Sequence, residues 1–234
     1  MIQALHTDVQ KLRDDEKAKF LQSFFKTEKG GYAEGDLFYG LTVPQSRVIA
    51  RKYRDLDQNS IQKLLYSKIH EERLMALLIL VDQFAKGGEE QKKSIYEFYI
   101  THARQVNNWD LVDCSADKIV GAYLYGKDTK ILKKLAKSEN LWKRRISIVA
   151  TYYFIKKGKY EKTFEISEML LADKHDLIHK AVGWMLREVE KNCGQEILEQ
   201  FLKKHIHELP RTTLRYAIEH FPEGLRKRYL KSEV

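Results

Sequence analysis

The segment NNWDLVDCSADKIVGAYL, residues 107–124, contains two side chains whose types and spacing could do chemistry. Trp109 and Asp113 are four residues apart, so on a helix they lie within about 40° of each other. A carboxylate held at the rim of packed apolar surface beside an indole is partly desolvated. Such an acid stabilises developing positive charge far better than a carboxylate in open water. The alternative from these residues alone is a solvated helix aspartate that pairs with a nearby lysine.

The helical period divides the residues around this pair. One apolar stripe is formed by Val112, Ala116, Ile119, Val120 and Tyr123. Asp113 lies at the edge of that stripe, whereas Asp110 and Asp117 are expected to point further towards solvent. Asp110 also stands early enough to cap or favour the helix N-terminus, which is an ordinary structural role for aspartate.

The positions of the other two tryptophans relative to the apolar stripes of their helices differ. Trp142 falls in the centre of its apolar stripe and is expected in the core. Trp184 lies well off the stripe of its own helix. An exposed indole needs an explanation because large apolar side chains rarely face solvent without purpose, and a contact between neighbouring helices is the plain alternative. Arg145 sits beside its stripe, where phosphate binding and a structural ion pair are both open.

The remaining reactive residue types do not suggest a metal or cofactor site. His175 and His179 have a spacing compatible with a metal, but no third ligand is evident. Cys114 and Cys193 form neither a disulfide framework nor a metal spacing, and both are expected to be small buried side chains. No nucleotide-binding glycine pattern and no nucleophile motif occurs. We therefore expect no metal and no cofactor.

The elements that must position these residues are predicted to be helices. Only three prolines and twelve glycines interrupt 234 residues, and 32% of the residues are charged. Apolar residues follow the helical period from Val43 onward, and continuous strand signals are absent. The sequence therefore predicts an all-α fold.

A repeat is visible in the starts of the apolar helices. They fall near Arg73, Val112, Arg145, Lys180 and Thr212, at spacings of 39, 33, 35 and 32 residues. One further helix fits between successive members, which is typical of an α-solenoid of HEAT- or armadillo-like repeats with a concave basic face. An irregular helical bundle is the alternative. We predict one helical-repeat domain over residues 1–234, with an N-terminal helical cap at 1–40 and paired-helix repeats at 41–234.

The chain contains more basic than acidic residues. Lys and Arg number 42 against 33 Asp and Glu, which gives a net charge of +9. A surplus of this kind favours a polyanionic partner such as nucleic acid. No apolar run is long enough to span a membrane and the N-terminus has no apolar targeting region, so we expect a cytoplasmic protein without membrane contact.

Four stretches together carry a family resemblance: NNWDLVD, LWKRRISIVAT, AVGWMLRE and FYGLTVPQSRVIARKY. The chain resembles the AlkD-type DNA alkylation repair family, the alkylpurine DNA glycosylases built from HEAT-like repeats. By position, the resemblance implies Asp113 as the catalytic carboxylate, with Trp109 and Trp184 as aromatic walls of the lesion site. It also implies that Arg145 helps hold the DNA near the lesion and that Arg187 contacts its backbone.

The function implied by this resemblance is release of N3- or N7-alkylated purines from double-stranded DNA. We expect a monofunctional hydrolase without a lyase step, acting as a monomer. Two alternatives stay open from other classes. One is a non-catalytic helical-repeat adaptor that binds DNA structures or protein. The other is an RNA-binding repeat protein, although the helix starts are too unlike one another for a base-reading code.

Overall fold

The structure is a computed structural model that describes all residues from Met1 to Val234. Its regular elements are helical, and the only extended pairing is an isolated bridge between Leu37 and Ile69, which confirms the all-α prediction. Contacts between Cα atoms divide the chain into two compact units, Met1–Ser115 and Ala116–Val234. The prediction of a single domain with a cap at residues 1–40 stays a prediction.

The first unit contains six helices and the greater part of a seventh. These are α1 (Ile2–Gln10), α2 (Asp15–Phe24), α3 (Val43–Lys52), α4 (Gln58–Leu65), α5 (His70–Lys86), α6 (Glu89–Thr101) and α7 (Trp109–Ala116). Helix α3 begins as its sequence predicts: Thr42 and Gln45 form a capping box and Pro44 lies in the first turn. Helix α5 is buried at 11 of its 17 residues, and it packs against α3, α4 and α6.

A buried carboxylate at the start of α5 holds the loop that precedes α3. Glu71 accepts hydrogen bonds from the backbone N–H groups of Tyr39, Gly40 and Leu41 at 2.9–3.2 Å. Gly40 has a φ of 87°, and a Cβ atom on it would lie 2.1 Å from the carbonyl oxygen of Asp14. Only glycine fits this position, because it combines left-handed backbone with a close approach to α2.

The second unit continues with a π-helical segment, Asp117–Gly121, and nine further helices. They are α8 (Ala122–Leu124) at the end of this run, α9 (Lys130–Ala136), α10 (Leu141–Val149), α11 (Tyr152–Ile155), α12 (Glu161–Leu170), α13 (Asp176–Cys193), α14 (Gln195–His205), α15 (Arg211–Ala217) and α16 (Glu223–Lys231). Helix α13 packs against α10 on one side and α15 on the other, with α12 and α14 also against it. The second helices of successive pairs thus lie side by side in this unit, as the repeat predicts.

The predicted helix starts agree with the structure to within a few residues. Helices α5, α7, α10, α13 and α15 begin at His70, Trp109, Leu141, Asp176 and Arg211. Trp142 is buried in the core as predicted. The two cysteines form no disulfide and are half-buried, whereas the sequence predicts that they are buried. No helix has both the length and the apolar character required to cross a bilayer.

Candidate functional site

Trp109, the first residue of α7, is held in a fixed orientation by aromatic neighbours. Its ring stacks on Phe25 at a centroid distance of 5.4 Å and meets the edge of Phe24 at 6.2 Å. The indole Nε1 donates a hydrogen bond of 3.1 Å to the hydroxyl of Tyr32. The side chain is only half-buried, so part of the indole remains available to a ligand.

Asp113 follows one turn later on α7 and is half-buried. The residues before it, Leu111 and Val112, have no exposed surface. The carboxylate is therefore at the edge of a packed apolar face, which is the placement that its position in the helical period predicts. Trp109 and Asp113 are the two site residues that the structure brings together in the first unit.

Asp110 does not point towards solvent as expected. Its Oδ1 accepts a hydrogen bond from the backbone of Leu111 at 2.8 Å, and its Oδ2 lies 2.8 Å from Nε2 of His70. His70 is buried, and its ring lies 4.8 Å from that of Phe25 and 4.9 Å from that of Phe38. The contact ties the first turn of α5 to the first turn of α7. Phe25 lies against both His70 and Trp109.

His70 carries a positive charge in this network at neutral pH. Burial opposes protonation of the ring, but the negative charge of Asp110, the hydrogen bond to Asp110 and the nearby carboxylate of Asp36 outweigh it. Together they raise the pKa of His70 from 6.5 to about 9, although the Arg73 guanidinium works against them. Arg73 pairs with Asp36, whose carboxylate also lies 3.7 Å from Nδ1 of His70.

Trp184 lies in the second unit, in the middle of α13. It is half-buried, so the exposed indole expected from the sequence was wrong. Its Nε1 donates a hydrogen bond of 3.1 Å to Oε1 of Glu188, one turn further along the helix. Tyr152 lies beside it at a centroid distance of 5.9 Å. Trp184 therefore makes a contact between neighbouring helices, and part of the indole remains accessible.

The two arginines of the second unit differ in exposure. Arg145 is only 5% exposed, and its Nη1 donates to the carbonyl oxygen of Leu177 in the first turn of α13. The side chain of Arg187 is 22% exposed and pairs with Glu219. Arg187 and Trp184 both belong to α13, three residues apart, and are therefore neighbours on that helix.

Asp117 is the second acid whose predicted exposure was wrong. It is 2% exposed and pairs with Lys118 at 3.1 Å and Lys156 at 2.8 Å. The Nζ atom of Lys156 also lies 4.6 Å from the centroid of the Tyr152 ring. Asp117 thus holds two partly exposed lysines in place at the start of the π-helical segment.

Several residues in contact with the two indoles were not singled out in the sequence. Tyr32 and Phe25 contact Trp109, His70 packs against Phe25, and Glu188 binds Trp184. The repeat could have identified one of them, because His70 precedes Trp109 by the same 39 residues that separate two helix starts. No group of three or more His, Cys, Asp or Glu residues has a geometry that could hold a metal ion.

A family model described as DNA alkylation repair enzyme matches residues 5–221, nearly the whole chain. The chain belongs to this DNA alkylation repair enzyme family. The fold of this family member is similar to a solved structure from Enterococcus faecalis named "Predicted DNA alkylation repair enzyme". The TM-score is 0.68 over 90% of this chain and 97% of that chain, with 16% sequence identity, so the likeness is one of fold. A comparison with curated proteins found no match.

The net charge of this DNA alkylation repair family member is divided unequally along the chain. Residues 1–115 carry 17 Lys and Arg and 17 Asp and Glu, whereas residues 116–234 carry 25 and 16. The whole surplus of +9 therefore belongs to the second unit. A polyanion is attracted to the second unit much more than to the first.

Proposed function

We propose that this family member is a DNA glycosylase that hydrolyses the N-glycosidic bond of cationic N3- and N7-alkylated purines in duplex DNA. The observation that carries the proposal is the pair on α7. Asp113 is a half-buried carboxylate one turn from Trp109, whose indole is held by Phe25 and Tyr32. A positioned acid beside a partly open aromatic face fits a positively charged, planar reacting group.

The chemistry needs few groups because the lesion is already activated. An N3- or N7-alkylated purine carries positive charge, so it departs as a neutral base and needs no general acid. The sugar left behind has oxocarbenium character, as in other glycoside cleavage. Asp113 would stabilise that cation and orient the attacking water. Water is the nucleophile, so the proposed reaction needs no metal, no cofactor and no lyase step.

The aromatic and basic residues would bind the substrate. Trp109 and Trp184 are each proposed to offer an indole face to the cationic nucleotide, an attraction worth about 0.5–2 kcal/mol each. Arg187 is proposed to contact the DNA backbone. Arg145 is proposed to act near the lesion, where its bond to the Leu177 carbonyl would fix its guanidinium. The basic surplus of residues 116–234 supports binding of a phosphate backbone.

The test is base release by Asp113→Asn. Methylated duplex DNA is incubated with excess protein, and released 7-methylguanine and 3-methyladenine are measured by chromatography. We expect the rate to fall about 100-fold or more with DNA affinity unchanged, because the amide keeps the shape but loses the charge. Asp128→Asn, at an exposed aspartate in the second unit, is the matched control and should leave the rate unchanged.

Two outcomes would contradict the proposal. Unchanged release by Asp113→Asn would remove the catalytic assignment. DNA binding by the wild-type protein with no release of either base would instead indicate a non-catalytic adaptor.

A further inference from the structure

The Glu188 carboxylate, which binds the indole of Trp184, is buried and accepts a hydrogen bond through only one of its oxygens. Glu188 is 8% exposed, and its Oε1 accepts the indole N–H of Trp184 at 3.1 Å. Its Oε2 is buried without a hydrogen-bond partner. A buried carboxylate oxygen in this state costs free energy, because its hydration is not replaced. Packing alone would be served as well by a glutamine or an apolar residue at this position.

The surroundings of Glu188 are aromatic rather than basic. Tyr152 lies beside the indole, and burial, the negative charge of Glu188 and the close approach of its carboxylate to the phenol raise the pKa of Tyr152. Lys156 is the cation near this group, above the Tyr152 ring, but it pairs with the buried Asp117. The Lys156 charge is thus balanced by Asp117, and the carboxylate of Glu188 is hydrogen-bonded to an aromatic ring.

We propose that Glu188 makes Trp184 selective for a positively charged base, so that it discriminates alkylated purines from unmodified ones by charge. A carboxylate that accepts the indole N–H increases electron density on the ring and strengthens its attraction for a cation. The carboxylate charge also attracts that cation directly, at an effective dielectric constant far below that of water. A neutral purine of the same shape receives neither contribution.

This inference rests on the proposed function, in which Trp184 faces the lesion. It adds the residue that would set substrate charge specificity. Shape gives a limited basis for the choice, because an added methyl group changes preference only about 10- to 200-fold in an apolar site. The positive charge is the larger difference between damaged and normal purines.

The experiment compares two duplexes that differ by one charge. One contains 7-methylguanine and the other 7-deaza-7-methylguanine, a neutral base of the same shape; both have a 2′-fluoro sugar that slows hydrolysis. The Kd of each duplex is measured for the wild-type protein and for Glu188→Gln. We expect the preference for the cationic duplex to fall about tenfold in the variant. Affinity for the neutral duplex should stay within about threefold of wild type.

Glu190→Gln is the matched control, because Glu190 lies on the same helix, is also partly buried and loses the same charge. Its carboxylate lies near His220 rather than near an indole, so the variant should keep the wild-type preference. Trp184→Phe keeps a ring but removes the N–H donor. It should lose the part of the preference that depends on the indole N–H, so adding Glu188→Gln to it should remove only the direct attraction between the carboxylate and the cation.

The outcomes separate this inference from the proposed function. If Glu188→Gln loses affinity for both duplexes equally, Glu188 has only a structural role and the inference is overturned. The inference is also overturned if the variant melts like wild type and keeps the wild-type preference for the cationic duplex. If the wild-type protein releases no base but shows a Glu188-dependent preference for the cationic duplex, the hydrolysis proposal fails and this inference stands.

Discussion

The stability of the first unit should depend on pH through His70. The pKa of this group is raised from 6.5 to about 9 in the folded protein, so folding stabilises the protonated ring. That stabilisation is fully present below pH 6.5 and is lost as the pH rises through 9. At 1.36 kcal/mol per pKa unit, the loss amounts to about 3 kcal/mol, which is a large fraction of the stability of a typical domain.

The assay is urea unfolding from pH 6.5 to 9.5, with His70→Gln as the comparison. The variant keeps a hydrogen-bond donor near Asp110 but has no titrating ring. We expect the difference in free energy of unfolding between wild type and variant to shrink by about 3 kcal/mol across this interval. Burial lowers the pKa of His102 and of His175, but both residues are present in wild type and variant, so their contributions cancel in the difference.

A difference that stays constant within about 1 kcal/mol from pH 6.5 to 9.5 would refute this reasoning. It would mean that His70 does not titrate in the interval and that the charged pair with Asp110 is not present. In a variant that carries both Trp142→Phe and Trp184→Phe, the same titration followed by Trp109 fluorescence should show a change near pH 9, because Phe25 contacts both rings.

Three further perturbations test other contacts. Tyr32→Phe should cost about 1 kcal/mol of stability by removing the acceptor of the Trp109 indole, and a loss below a few tenths would mean that the indole rebinds elsewhere. Gly183→Ala should destabilise the protein by about 1–3 kcal/mol, because the new Cβ would lie 2.5 Å from Cβ of Tyr216; an unchanged Tm would show that α13 and α15 separate freely. Arg187→Ala should reduce the slope of log affinity for duplex DNA against log salt by about 1, and an unaltered slope would remove this backbone contact.

The sequence determined the helices and the placement of Trp109 beside Asp113. Helix starts at His70, Leu141 and Asp176 follow from the apolar period and the repeat, since both are properties of a single helix and its spacing. The placement of Asp113 one turn from Trp109 at an apolar edge follows for the same reason. Family membership was also readable, because short motifs around these residues carry it.

The tertiary structure alone decided what lies on the flanks of each helix. The helical period predicts the buried face of one helix considered alone. A helix packed between neighbouring helices is buried on two sides, which the period does not show. Asp117 is buried and pairs with Lys156 from 39 residues later, and Asp110 is half-buried and pairs with His70 from 40 residues earlier. The four-residue spacing of Trp184 and Glu188 could have predicted the hydrogen bond between them. The burial of the Glu188 carboxylate, however, depends on the helices that pack against α13. Long-range packing therefore determined which charges are desolvated, and desolvation decides how strongly those charges act.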